Sequence, residues 1–385
     1  MKIIHTADWH IGRTLFDYPL IDDQRLFLHW LADLAAAEEA DAILIAGDLY
    51  NRAVPSAQAV ELLDEIFCDL ALKKRIPLYV IAGNHDSAER LSFCSRLLEE
   101  GGLHLCGSAA QRAHLPLEKD GVRVTFHLLP YFTPAEVRML FPEKEIASFD
   151  EAFAALMEQD RPLLEPSSFH LLAAHGFFLK TGESGEPLFS KSELSVGAVD
   201  AMDLRHAEGY GYVALGHLHA PQRAGSNARY AGSPLKYSLS EARQRKSVTV
   251  LEIGRGGEIA VSERAYRPRR DVRVIEGDFE QLLDPRNQGG ESLDDYVYAN
   301  ILGDEAVLFA LQKLRAVFPN ILGLQFTAPQ GEEAAIPAGE ALASEPVEAL
   351  FERFYQQITG QELTEARRRI VLSAAEASRP LEPEK

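Results

Sequence analysis

Apolar residues fall along this chain in two alternating patterns. Ile3-Ile4, Ala42 to Ala46, Pro77 to Ile81, Phe169 to Ala174, Tyr212 to Leu215 and Val248 to Ile253 are short apolar runs that read as buried strands, with Val122-Arg123-Val124 as a briefer one. Asp23 to Ala40 and Ala57 to Leu72 instead carry apolar residues at helical spacing. Strands this apolar, alternating with helices, predict a sheet covered by helices. The stretch from Pro134 to Arg161 is predicted to hold helical segments inserted over one sheet face.

A seam follows at Arg264, Arg267, Arg269, Arg270 and Arg273. Beyond it, Val272 to Ile275, Phe279 to Leu283, Tyr296 to Leu302, Glu305 to Phe318 and Ile321 to Phe326 predict a small β-α-β-α-β unit. Gln330 to Glu345, rich in Ala, Glu, Gly and Pro, reads as a linker. Two helical segments are then expected between Pro346 and Ala377, parted by Thr359-Gly360, with Val347, Leu350, Phe351, Phe354 and Ile358 on one face. That face suits either docking to a partner or packing on the main domain.

Composition narrows the class. A chain of 385 residues with 46% hydrophobic content can build two or three folded units. It contains no run of about 18 apolar residues. Its first residues enter a strand pattern at once, so neither a membrane span nor a leader is expected. Three cysteines, Cys68, Cys94 and Cys106, fit reduced thiols in a cytoplasmic protein. The net charge of −19 opposes generic nucleic-acid binding, so any contact with DNA needs local basic patches, metals or a partner. Lys73-Lys74-Arg75 reads as surface charge at a helix end. The seam arginines fit a connector paired to acidic side chains better than a DNA contact.

The chemistry sits where strands end. Asp8-Trp9-His10, Gly47-Asp48, Gly83-Asn84-His85-Asp86, Ala174-His175-Gly176 and Gly216-His217-Leu218-His219 each follow an apolar run. Residues i and i+2 of an extended segment point the same way, so Asp8 with His10, and His217 with His219, can each aim two ligands into one site. A lone Asp-x-His is usually a loop turn, and Gly-Asp a helix cap. Five such segments in order at strand ends supply the carboxylate, amide and imidazole donors of a two-metal phosphoesterase, in a mixture that suits Mn²⁺ or a similar cation.

These motifs resemble the calcineurin-like metallophosphoesterase superfamily and, within it, a branch of bacterial nuclease subunits. His5-Thr6-Ala7-Asp8-Trp9-His10-Ile11-Gly12, Gly47-Asp48-Leu49-Tyr50, Gly83-Asn84-His85-Asp86-Ser87, Tyr230-Ala231-Gly232-Ser233-Pro234 and Arg269-Arg270-Asp271-Val272-Arg273 carry the likeness. It implies a four-layer α/β/β/α sandwich over residues 1–265, an α/β capping domain over 266–329, a linker over 330–345 and a helical docking segment over 346–385. It implies one metal held by Asp8, His10, Asp48 and His219, and a second by Asp48, Asn84, His175 and His217. His85 then faces the scissile phosphate, and Asp86 orients His85. His5 reads as structural. Asn51 departs from the Asp usual in relatives, at a position that is not a ligand. Arg13 and Arg52, which follow two of the motifs, are candidate phosphate contacts.

The resemblance further implies two divalent ions, Mn²⁺ or Mg²⁺, and a coiled-coil ATPase partner that uses the ATP. This chain carries no Gly-x-x-x-x-Gly-Lys-Ser/Thr loop of its own. It implies a homodimer formed by helices near residues 55–70 and 88–100, and DNA as substrate for double-strand exonuclease and hairpin or single-strand endonuclease action in repair, recombination and replication. The alternative is a stand-alone phosphodiesterase or phosphatase. Superfamily protein phosphatases usually carry Gly-Asn-His-Glu where this chain has Gly-Asn-His-Asp.

Overall fold

A computed structural model describes residues 1–179, 200–284, 286, 290–303, 307–327 and 368. The chain divides into two units, Met1–Thr327 and Ala328–Lys385, and the second lies outside the described residues apart from Arg368. The expected linker and the docking face of Val347, Leu350, Phe351, Phe354 and Ile358 fall there.

Two six-stranded sheets form the body. The first has the order Ile259–Ala265, Ser247–Ile253, Lys2–Thr6, Ala42–Ala46, Leu78–Ile81, Leu103–Cys106. Its last four strands are parallel, and the first two join them antiparallel. The second has the order Gln222–Arg223, Ala228–Tyr230, Tyr212–Gly216, Phe169–His175, Val122–Leu129, Ala113–Lys119, with four central parallel strands between antiparallel edges.

The period-two alternation of strand side chains decides the layers. Ile3, Leu44, Tyr79 and Ile81 join Val124, Phe126, Leu171 and Ala214 in a core between the sheets, where Tyr79 stacks on Phe126 at 3.8 Å. The neighbouring residues Ile4, Ile43, Ile45 and Val80 face outward, onto Phe27, Leu28 and Leu31 of the helix Ile21–Ala37 and Leu62 and Ile66 of the helix Ala57–Phe67. Across the second sheet, Leu172, Ala174, Val213 and Leu215 meet Val137, Phe153 and Leu156. The helices Pro134–Leu140 and Phe149–Asp160 that carry those last three residues are therefore the fourth layer of the sandwich rather than an insertion. Each opens on a capping box, Thr133 with Glu136 and Ser148 with Glu151, which satisfies end amides that would otherwise lack partners.

Residues 272–327 form a parallel three-stranded sheet, Val272–Gly277, Tyr296–Leu302 and Ile321–Thr327, with helices Phe279–Leu282 and Ala310–Val317. Its own core gathers Ile275, Phe279, Val297, Ile301, Leu314 and Phe318. The buried Asp23 carboxylate ties it to the body, accepting from Arg270 at 3.1 and 2.7 Å and from the Tyr296 hydroxyl at 2.8 Å. Two more seam arginines, Arg264 with Glu38 and Arg273 with Asp295, also pair with carboxylates. The first pair lies within the body and the second within the small unit, so of these three it is Arg270 that bridges them.

Candidate metal centre

The carboxyl ends of parallel strands converge at one edge of the sandwich, where backbone turns away and side chains become free to meet a ligand. Asp8 and His10 follow Lys2–Thr6, Asp48 follows Ala42–Ala46, and Asn84 and His85 follow Leu78–Ile81. From the second sheet, His175 closes Phe169–His175, and His217 and His219 follow Tyr212–Gly216. All seven residues expected to hold metal are brought together. The i, i+2 argument for their aim fails, however. Asp8, His10, Asp48 and His217 have φ of 56°, 45°, 53° and 108°, so these loops curl through the left-handed region instead of running extended.

Asp48 is the centre of the cluster. Its Oδ2 lies 3.5 Å from His10 Nε2 and 3.5 Å from His175 Nε2. His10 Nε2 stands 3.1 Å from His219 Nε2 on one side. On the other, Asn84 Oδ1 is 3.0 Å from His175 Nε2 and 3.2 Å from His217 Nδ1. The Asp8 carboxylate accepts the His217 amide N–H at 2.9 and 3.1 Å, joining the two sheets. Glycine is required where they approach. A Cβ on Gly216 would lie 1.9 Å from the Ala46 carbonyl, and one on Gly83 would lie 2.1 Å from Asp48 Oδ1.

Hydrogen bonds fix what two of the rings offer. The Ala46 carbonyl can only accept, so His175 donates from Nδ1 at 2.8 Å and turns Nε2 toward Asp48 and Asn84. Glu241 Oε1 does the same for His219 Nδ1 at 3.0 Å. Lone pairs and carboxylate oxygens therefore face one another at distances that a shared cation would satisfy, and the donor set fits a pair of divalent metals. Burial pushes His10 far below its usual range, against the pull of Asp48, and burial with the His175 charge lowers His217 to about 3. Burial would also lower His175, but Asp48 carries it up to about 9, so a cation binding there displaces a proton. Burial would raise Asp48, yet the imidazoles of His175 and His10 hold it ionised well below the carboxylate range.

His85 projects beside the cluster, its ring 4.8 Å from that of His10. Asp86 does not orient it. Both Asp86 oxygens accept backbone N–H groups instead, from Leu49 at 3.1 Å, Tyr50 at 2.9 Å and Gly83 at 2.9 Å, because the carboxylate is turned inward to clamp two motif loops. Burial and the Asp48 charge raise its pKa to about 6. The contact to His85 Nδ1 comes from the Asn51 carbonyl at 3.1 Å, a backbone group that residue type does not reveal. Arg13 lines the cleft, with its guanidinium over the Tyr237 ring at 5.1 Å, whereas Arg52 is exposed and absent from the described lining. His5 is buried, with Nδ1 3.4 Å from the Tyr212 hydroxyl.

Two residues escaped the sequence reading. Glu241, fully buried, binds His219 and also Lys246, whose Nζ lies at 2.6 Å and further donates to the His219 carbonyl and Ser233 Oγ at 2.9 Å each. Neither belongs to a motif.

The family model for calcineurin-like phosphoesterases matches residues 1–221, and that for the type 5 capsule protein repressor C-terminal domain matches residues 268–359. The SbcD subunit of the SbcCD nuclease of Staphylococcus epidermidis is 31% identical over 366 residues, 95% of each chain. A solved structure, TT1561 of Thermus thermophilus, is 13% identical over 68% of this chain and 98% of its own, at a TM-score of 0.39, too low to bear on function. With the first model covering more than half of the chain and the relative matching it nearly end to end, this chain belongs to the calcineurin-like phosphoesterase family, in its SbcD branch.

Proposed function

We propose that this chain is a Mn²⁺-dependent DNA nuclease, the hydrolytic subunit of an SbcCD-type complex whose ATP is used by an SbcC-like coiled-coil ATPase. The observation that carries the reading is the convergence of six donor side chains around Asp48, with His85 standing beside them. Two divalent cations in such a site lower the pKa of a bound water and neutralise phosphate oxygens. The chain's own part is to hold those donors rigidly and to present His85. Because the Asn51 carbonyl accepts from His85 Nδ1, the other nitrogen, Nε2, is left to meet the phosphate or protonate the leaving oxygen. Arg13, at the cleft wall, supplies positive charge to a phosphodiester despite the net charge of −19.

The unit at 272–327 serves as a cap beside the cleft, and the segment 346–385 docks the ATPase. Both roles rest on kinship with the SbcD branch. Homodimerisation through residues 55–70 and 88–100 is supported by the exposed Val60, Phe93 and Leu97, which share one apolar depression. Three free cysteines agree with work in the cytoplasm, and among the described residues no helix is long and apolar enough to cross a membrane. Incubating the purified chain with Mn²⁺ and linear duplex DNA should degrade the DNA. Hydrolysis of small phosphodiesters with intact DNA would favour the stand-alone enzyme.

A further inference from the structure

A second cluster of ligating side chains lies on the far edge of the second sheet. His114 and His127 are register partners on the adjacent strands Ala113–Lys119 and Val122–Leu129, and their Nδ1 atoms are 2.8 Å apart. Asp160, the last residue of the helix Phe149–Asp160, brings a carboxylate oxygen to 3.8 Å from His114 Nε2. One ligand atom from each of the three lies within 4.8 Å of the others. The phosphoesterase chemistry uses none of them.

The surrounding hydrogen bonds decide which nitrogen is available. The Glu165 carbonyl can only accept, so His170 donates from Nε2 at 2.9 Å, and its Nδ1 must accept. His127 therefore donates from Nε2 to His170 at 2.9 Å, and its Nδ1 lone pair accepts from His114 Nδ1, the contact a cation would replace. A metal-binding histidine is typically held this way, its distal N–H committed to a neighbour and its tautomer fixed. The Asp160 carboxylate is likewise oriented, by Arg112 at 3.0 and 3.3 Å. A separate observation concerns Tyr210, whose ring meets His127 edge-on at 5.0 Å. Its hydroxyl is buried with no hydrogen-bond partner among the described residues, a state that costs free energy unless something else occupies the site.

We propose that His114, His127 and Asp160 form a divalent-cation site of the zinc class, separate from the catalytic centre, with the Tyr210 hydroxyl beside it to meet the cation or its water. Two imidazoles and one carboxylate, a small set in which nitrogen donors outnumber oxygen, favour Zn²⁺ over the hard cation Mg²⁺, which prefers an all-oxygen shell. The Arg112 charge makes the site weaker than a tetrahedral thiolate centre. Once filled, it staples the edge hairpin to the end of the helix that covers this sheet.

The test is a Zn²⁺ equilibrium titration of the chelator-treated full chain, counted by elemental analysis. The unsubstituted chain should bind one equivalent more than His114→Ala, a substitution at a partly exposed ring. Excess Zn²⁺ should raise its Tm by about 5 °C more than that of the variant. Hydrolysis of a small phosphodiester with Mn²⁺ should be equal in the two. Asp48→Asn, altered only at the catalytic centre, should keep the extra equivalent. Equal Zn²⁺ counts in the unsubstituted chain, His114→Ala and Asp160→Asn, all folded, would overturn the proposal and leave the three rings as a hydrogen-bonded chain alone.

Discussion

Asp48 Oδ1 accepts the backbone N–H of His85 at 2.9 Å. The carboxylate at the centre of the ligand cluster thus also sets the position of the histidine that stands beside it. Oδ2 remains for His10 and His175. One side chain ties ligand geometry to the group proposed to face phosphate, so neither can shift alone.

Glu241 should matter as much as a ligand although it touches none of the proposed cations. Burial would raise its carboxyl, but the charge of Lys246 and the bond to His219 outweigh this and keep it ionised. Glu241→Gln removes the negative charge that faces the buried Lys246 ammonium and loosens the His219 ring. The expected result is Mn²⁺ affinity weaker by about 10- to 100-fold by calorimetry. Stability to urea should fall by about 3 kcal/mol. Unchanged Mn²⁺ affinity would mean that Glu241 does not shape the metal centre.

Asp23 holds the residue 272–327 unit to the body through Arg270 and Tyr296. Asp23→Ala takes the acceptor from three donors, two N–H groups of Arg270 and the buried Tyr296 hydroxyl, at a cost of about 2 kcal/mol. Limited proteolysis should then cut near the seam arginines sooner than in the unsubstituted chain, while the catalytic core stays resistant. Identical cleavage patterns would mean that apolar contacts such as Tyr18 on Tyr296 hold the seam by themselves.

His5 contributes a pH dependence. Burial, helped by the Arg229 charge, lowers its imidazole to about 3, against roughly 6.5 in an unfolded chain. Below that higher value the unfolded state takes up a proton that the folded state refuses. Stability from this ring is therefore full above pH ~6.5 and is lost as pH falls toward 3. The urea midpoint should drop between pH 7 and pH 5, and His5→Gln should flatten that slope. An equal slope in the variant would contradict the assignment.

Much of the site was legible because its ligands lie in short local motifs at the ends of apolar strands. Ala42 to Ala46 followed by Gly47-Asp48 shows both the strand and the ligand. What escaped reading depends on backbone geometry or on distant loops. The left-handed turns at Asp8 and His10, and the Asn51 carbonyl that holds His85, belong to no residue type. Glu241 reaches His219 from 22 positions away, beyond the two edge strands Gln222–Arg223 and Ala228–Tyr230, and Asp86 binds amides that sequence cannot place. Among the layers, Pro134 to Arg161 reads as an insertion because its helical pattern is local, while its packing against Leu172 and Val213 is not.

The central claim is that two metals gathered around Asp48 hydrolyse DNA while His85 acts on the phosphate without holding metal. It is tested most directly by measuring Mn²⁺ content and duplex DNA cleavage together in the unsubstituted chain and in His85→Ala. The same number of bound Mn²⁺ ions is expected in both, with cleavage by the variant slower by about 10²- to 10⁴-fold. Loss of Mn²⁺ from His85→Ala, or full cleavage with the metal retained, would contradict it.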